Sequence, residues 1–130
     1  MKLKSVNHIA IICSNYEKSL KFYTEILGFE MIEEEYRAKR QSYRTALSLN
    51  GEYLIELFTF PNCPPRPSYP EALGLRHIAF TVDNLDAVIA ELESKGVAHE
   101  PIRYDERHGE KTIFFMDPDQ LPIEITEIIN

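Results

Sequence analysis

Four residues stand out because their chemistry is at odds with their surroundings. His8 interrupts the apolar run Val6 to Ile12, and His77 sits in a matching run, Leu75 to Val82. Glu56 is flanked by Leu54-Ile55 and Leu57-Phe58, and Glu124 by Pro122-Ile123 and Ile125-Thr126. Strand side chains alternate between faces, so one face of each segment carries the polar group while the other packs a core. A carboxylate in such surroundings must be neutralised or given a charge partner. Two imidazoles and two carboxylates form a donor set suited to a divalent ion: Zn, Ni, Co, Mn or Fe. Four protein ligands and two waters complete an octahedron, and the water positions are those a substrate can take. Such an ion also offsets the cost of burying two negative charges. The alternative is that each histidine is a satisfied core residue and each glutamate an exposed strand residue.

The spacing favours the ion. His8-Ile9-Ala10 recurs as His77-Ile78-Ala79, an offset of 77 − 8 = 69. Ile55-Glu56-Leu57 recurs as Ile123-Glu124-Ile125, an offset of 124 − 56 = 68, and Gly28 recurs as Gly96 at 96 − 28 = 68. Two copies packed about a pseudo-twofold axis bring equivalent residues to that axis together. His8, Glu56, His77 and Glu124 then converge on one point. Either pairing of copies, within one chain or across two, satisfies the repeat. His99 and His108 have no repeat partner and read as ordinary polar residues, with His108 in a Gly-containing loop able to fold over a site.

The elements that must position these groups repeat as well. In the first half, Val6 to Ile12 reads as a strand. Ser14 and Glu17 have capping-box spacing, and Tyr16, Leu20, Tyr23 and Leu27 form a helical stripe. Gly28 suits a left-handed helix end. Strands are expected over 29–37, 42–49 and 53–60, with Asn50-Gly51 as a tight turn. In the second half, a strand over 75–82 precedes a helix capped by Asp83 or Asn84 and striped by Leu85, Val88, Ile89 and Leu92. Gly96 ends it, and strands follow over 97–104, 112–116 and 121–128, with Asp117 to Gln120 as a turn. The expectation is α+β: one domain over 1–130, with a β-α-β-β-β module over about 1–60, a proline-rich connector over 61–74, and a second module over about 75–130.

Composition narrows the function classes. The 130 residues are 44% hydrophobic and 27% charged, the balance of a folded globular chain. Fourteen basic against 21 acidic residues give a net charge of −7, which argues against nucleic acid as a partner. No apolar stretch approaches the ~18 residues of a membrane span, and the N-terminus lacks the pattern of an export signal. Two distant cysteines, Cys13 and Cys63, make neither a disulfide scaffold nor a redox motif, so a cytoplasmic location is expected. Arg37, Lys39, Arg40 and Arg44 cluster near one strand turn, and Arg103, Arg107 and Lys111 near another loop. Either set can hold an anionic substrate, or both can be solvated strand edges. Tyr36, Tyr43 and Tyr104 can line a pocket or serve as ordinary sheet residues.

Several stretches carry a family resemblance: Asn7-His8-Ile9-Ala10, Phe22 to Phe29, Leu75 to Phe80, and Phe115 to Glu124 with its Asp117-Pro118-Asp119 turn. The chain resembles the glyoxalase I / vicinal oxygen chelate superfamily over essentially its whole length. Gln120 departs from the usual glycine of that turn. The resemblance implies paired β-α-β-β-β modules whose curved mixed sheet surrounds a metal site (the glyoxalase/bleomycin resistance/dioxygenase fold). It implies His8, Glu56, His77 and Glu124 as ligands of one divalent ion, and a homodimer. The His/Glu/His/Glu pattern resembles glyoxalase I in particular, and short bacterial glyoxalase-like proteins most of all.

The implied reaction begins with a substrate bearing two vicinal oxygens, which chelates the ion. The ion, as a Lewis acid, stabilises an enediolate while a carboxylate moves a proton between neighbouring carbons. The base is Glu124 or Glu56, and the resemblance favours Glu124. Three activities are open. One is a lactoylglutathione-lyase-like lyase that detoxifies methylglyoxal as a small anionic thiol–2-oxoaldehyde adduct. Another is a methylmalonyl-CoA-epimerase-like enzyme, a branch in which one carboxylate is often Gln, unlike Glu56. The third is a non-catalytic, resistance-type binding protein, a group that generally lacks the ligands.

Overall fold

The computed structural model describes residues 1–128. Two compact units, Met1–Pro64 and Pro65–Asn130, divide the chain, and each is a β-α-β-β-β module. The first contains β1 (Ile9–Ile12), α1 (Tyr16–Lys21), a π-helical turn (Phe22–Ile26), β2 (Glu30–Arg37), a short 3-10 turn (Ala38–Arg40), β3 (Ser42–Leu49) and β4 (Glu52–Phe58). The second contains β5 (Ile78–Val82), α2 (Leu85–Ser94), β6 (Arg103–Asp105), β7 (Glu110–Met116) and β8 (Pro122–Ile128). Each unit forms a four-stranded mixed sheet, ordered β1-β4-β3-β2 and β5-β8-β7-β6. The first strand of each unit pairs in parallel with the last, and the other pairings are antiparallel. A helix between the first and second strands supplies the length that a parallel neighbour requires. This is the α+β architecture expected from the sequence. No helix among the described residues is long and apolar enough to cross a membrane.

The core follows strand alternation. Leu47, Ile55 and Leu57 in the first unit, and Ile113, Ile123 and Leu85 in the second, are fully buried. Glu56 lies between Ile55 and Leu57, and Glu124 between Ile123 and Ile125, so both glutamates point to the opposite face. Burying each of the apolar core side chains stabilises by roughly 1.5–3 kcal/mol.

Several local expectations need correction. Asn15, not Ser14, caps α1: its side chain accepts the Lys18 N–H at 3.0 Å. Asn84 does the same for α2 through the Ala87 N–H, also at 3.0 Å. The two caps are repeat equivalents, 84 − 15 = 69. The drop in offset from 69 to 68 occurs inside the first helix. There the π-helical turn absorbs one extra residue, closing with Leu27 N–H to Phe22 C=O at 3.0 Å. Thr24 contributes by donating its hydroxyl to the Leu20 carbonyl at 2.7 Å, a back-bond that loosens a helical ladder. The strand expected over 97–104 shrinks to Arg103–Asp105, because Pro101 has no N–H to offer a ladder. Gln120 occupies a left-handed conformation (φ 69°), which explains why a glycine is usual there. Its carbonyl accepts the Ser68 hydroxyl at 2.6 Å, tying the proline-rich segment to the turn.

Glu127 joins α2 to the sheet. It accepts the Leu85 N–H at 2.9 Å and pairs with Lys111 at 3.2 Å. The Leu85 N–H, followed by Lys111, holds the Glu127 carboxyl below its ordinary value of 4.5. A depressed carboxyl stabilises the fold above its unfolded value, and that contribution is lost as pH falls through the lower folded value. Glu127→Gln should therefore be less stable than the parent at pH 7, with the gap closing below about pH 4.5. Urea titrations at pH 7 and pH 3 that give the same gap would contradict this. Ile113→Ala, at a fully buried position, should cost about 2–5 kcal/mol in the same assay.

Candidate functional site

In the first unit, parallel register sets Ala10 of β1 opposite Glu56 of β4. His8 lies two residues before Ala10 and so belongs to the same face. Its Nδ1 is 2.6 Å from Asn7 Oδ1. A carbonyl oxygen only accepts, so Nδ1 carries the proton and the lone pair of neutral His8 is on Nε2. The imidazole stacks on Tyr53, with centroids 5.1 Å apart and planes 15° apart. Tyr53 reaches this face through a bulge. Leu47 pairs with Ile55 but Ser48 pairs with Tyr53, so Leu54 is the extra residue and alternation resets.

Glu56 is 5% exposed and held on one oxygen. The Tyr53 hydroxyl donates to Oε2, and Arg44 Nη2 lies 2.9 Å from the same atom. Arg44 also reaches Glu33 at 3.5 Å and Glu35 at 3.9 Å on β2. Glu56 Oε1 has no hydrogen-bond partner among the described residues. Burial, then the bond to Glu56, pushes the Tyr53 hydroxyl up to about 12, so it stays a donor at neutral pH. The charge of Glu56 above all raises the Arg44 guanidinium above its ordinary value.

In the second unit, Ala79 lies opposite Glu124, again with the histidine two residues earlier. His77 Nε2 is 2.9 Å from Glu124 Oε2, and the ring meets Phe114 edge-on at 5.3 Å. Oε1 of Glu124 accepts from Thr112 at 3.2 Å and Thr126 at 3.3 Å. The two hydroxyls also bond one another, and Thr112 reaches the Ile125 carbonyl at 3.2 Å. Two hydroxyl protons thus serve several acceptors, and the hold on Glu124 is loose.

Each half thus carries one imidazole and one carboxylate on a single sheet face; His8 keeps its lone pair on Nε2, while His77 Nε2 donates to Glu124 and would bind an ion only after giving up that proton. This donor chemistry fits a borderline divalent ion, and the Asn7 contact is of the kind that fixes a ligating histidine's tautomer. Among the described residues, no group of three or more His, Cys, Asp or Glu side chains is gathered to hold a metal ion.

Several of the other sequence candidates are engaged elsewhere. His99 pairs with the Glu100 carbonyl at 2.8 Å and Glu93 at 3.2 Å, and these bonds raise its basicity. His108 is bound to Asp105 at 2.8 Å, which raises the imidazole and lowers the carboxyl. Lys111 serves Glu127 and Asp86 beside α2. Arg37 and Arg40 lie over Phe58 and Phe60, each 5.2 Å from the ring centre, and Arg103 lies over Phe114 at 5.0 Å. Tyr36 and Tyr43 pair with each other across β2 and β3, on the face opposite Arg44. Tyr43 stacks on Tyr16 there, at 4.0 Å. Sequence reasoning missed Tyr53, Thr112 and Thr126, and read Arg44 as an anion contact or a solvated strand-edge residue. The signal for Thr112 was the repeat itself, since 112 − 44 = 68. Tyr53 carried none, because the bulge that turns it inward has no marker residue.

Comparison with known proteins identifies the family. The profile of the Glyoxalase/Bleomycin resistance protein/Dioxygenase superfamily matches residues 5–125. An Enterococcus faecalis protein whose crystal structure is described as a glyoxalase family protein superposes with a TM-score of 0.88 at 46% identity, covering 98% of this chain and 100% of that one. The Bacillus subtilis (strain 168) protein named "Uncharacterized protein YwkD" is 58% identical, over 98% of this chain and 99% of its own length. The lactoylglutathione lyase of Schizosaccharomyces pombe (strain 972 / ATCC 24843) is 30% identical over 96% of this chain, which spans 48% of that protein. With two β-α-β-β-β modules and a profile match over nearly all its length, the chain belongs to the glyoxalase/bleomycin resistance protein/dioxygenase superfamily.

Proposed function

We propose that this protein is a glyoxalase-I-like lyase that moves a proton between adjacent carbons of a small thiol–2-oxoaldehyde adduct. His8, Glu56, His77 and Glu124 are the ligands of one divalent ion in this reading. The observation that carries it is the double occurrence of a histidine two residues before the alanine that faces a glutamate, on the same sheet face, at the same register, in both units. Chance placement of histidines has no reason to reproduce that register. The S. pombe lyase, similar over 96% of this chain, supports the same reaction class. A bound ion supplies Lewis acidity toward two neighbouring oxygens of the substrate.

The protein's own groups do the rest. Glu124 takes the proton from one carbon and returns it to the next. It is the carboxylate with the looser hold, by threonine hydroxyls and one imidazole. Glu56 is clamped by a guanidinium and a phenol on one oxygen and stays where it is. Under this reading the protein works as a cytoplasmic homodimer on an anionic small molecule, and nucleic acid is not its partner.

The test is Glu124→Gln. With metal restored to stripped protein, turnover of the methylglyoxal–glutathione adduct should fall roughly 10²–10⁴-fold, the usual worth of a general base. The variant should keep measurable metal. Full activity in the variant removes Glu124 as the base. Deuterium exchange into methylmalonyl-CoA, with no turnover of the adduct by the parent protein, would reassign the enzyme as an epimerase.

A further inference from the structure

The two halves are not equal at one position that the repeat makes equivalent. Ala46 faces Glu56 and Phe114 faces Glu124, so Arg44 and Thr112, each two residues earlier on the middle strand, occupy the same place beside their glutamates. The first half puts a cation there and the second a hydroxyl. The cation lies 2.9 Å from its glutamate and the hydroxyl 3.2 Å. The bulge at Leu54 adds a second donor, Tyr53, to the first half only. Leu121, its counterpart at 121 − 53 = 68, has no hydroxyl.

We infer that Arg44 and Tyr53 are positioning residues that fix Glu56 as a standing metal ligand, and that the exchange of Arg44 for Thr112 in the second half leaves Glu124 free to act as the mobile base. This rests on the ligand set proposed above. The clamp engages Oε2 alone, so Oε1 is the atom Glu56 presents to an ion. Glu56 cannot turn without breaking an ion pair and a hydrogen bond on a nearly buried side chain, and breaking either leaves a group in poor solvent. Rotating Glu124 breaks its contact to the His77 imidazole, a group whose charge is not fixed as a guanidinium's is, and bonds to threonines that then satisfy each other or, for Thr112, the Ile125 carbonyl. Tyr53 also stacks on His8, so one ring sets both first-half donors. Arg44 does not spread its charge evenly. Its contacts to Glu33 and Glu35 are longer, and those carboxylates are exposed and screened.

Cobalt tests this with a readout independent of turnover. Stripped protein is titrated with Co²⁺ while affinity and the visible absorption bands are followed. Loss of such an outer partner typically weakens metal binding 10–100-fold, so R44M should lose at least about tenfold and shift the bands. R44K should recover most of the affinity, which a merely structural arginine would not predict. Y53F should move affinity and bands in the same direction by a smaller step, and it decides the matter alone if R44M does not fold. T112V should leave cobalt affinity within about threefold, since the hydroxyl brings no charge of its own, its bond to Glu124 is long at 3.2 Å, and Thr126 donates to the same oxygen. If R44M and Y53F bind cobalt as tightly as the parent, with identical bands, the inference is overturned while the metal site stands. If the parent protein itself takes up no cobalt, the ligand set and the inference fall together.

Discussion

A carboxylate set between two fully buried core residues of a strand is the constraint on which the rest of the structure turns. At Glu56 the backbone leaves no choice of face: Ile55 and Leu57 take the core, and the charge must be met on the other side. Arg44 meets it at 2.9 Å from the neighbouring strand, and Tyr53 meets it from the same strand. That solution dictates what else the face can hold. Residues beside the ion pair are small, as at Ala10 and Ala46, or aromatic and stackable, as at Tyr53. The second unit faces the same demand at Glu124 and answers it with an imidazole and two hydroxyls. One duplicated backbone thus carries two electrostatic environments.

The parallel pairing of first and last strands is what makes the histidine and glutamate neighbours. Each pair is separated in sequence by a helix and two strands, yet lies two residues apart in register. The helix that permits the crossover has its own local determinants, an asparagine cap at each start and buried side chains along one stripe.

Much of this was legible in the residues alone. The repeat, the four polar positions inside apolar runs and the order of elements all follow from types and spacing, because alternation and amphipathic periodicity are local physics. The α+β class follows from the same order of elements, and the superfamily was visible as a resemblance in the motif stretches. Other features depended on groups that meet only after folding. Ser14 and Asn15 are both competent caps, and only the backbone path selects Asn15. Pro101 sits in a segment that is otherwise strand-like, and its missing N–H outweighs the pattern. Arg44 was visible as a cation but not as a partner of Glu56, since the two are twelve residues apart (56 − 44) and meet across a hairpin. The bulge that turns Tyr53 toward His8 is set by hairpin register rather than by a glycine or proline.

The π-helical turn at Phe22–Ile26 records how far the halves have separated. Its surplus residue lies where the first helix hands the chain to Phe29, a residue only 3% exposed. Each helical residue turns the chain by about 100°, so excising one would swing everything downstream by more than a quarter-circle. The aromatic anchor at Phe29 would lose its seat, and β2 would enter the sheet from the wrong side. The insertion has become indispensable to the half that carries it: the duplicated modules can still diverge in side chains, but their first helices are no longer interchangeable parts.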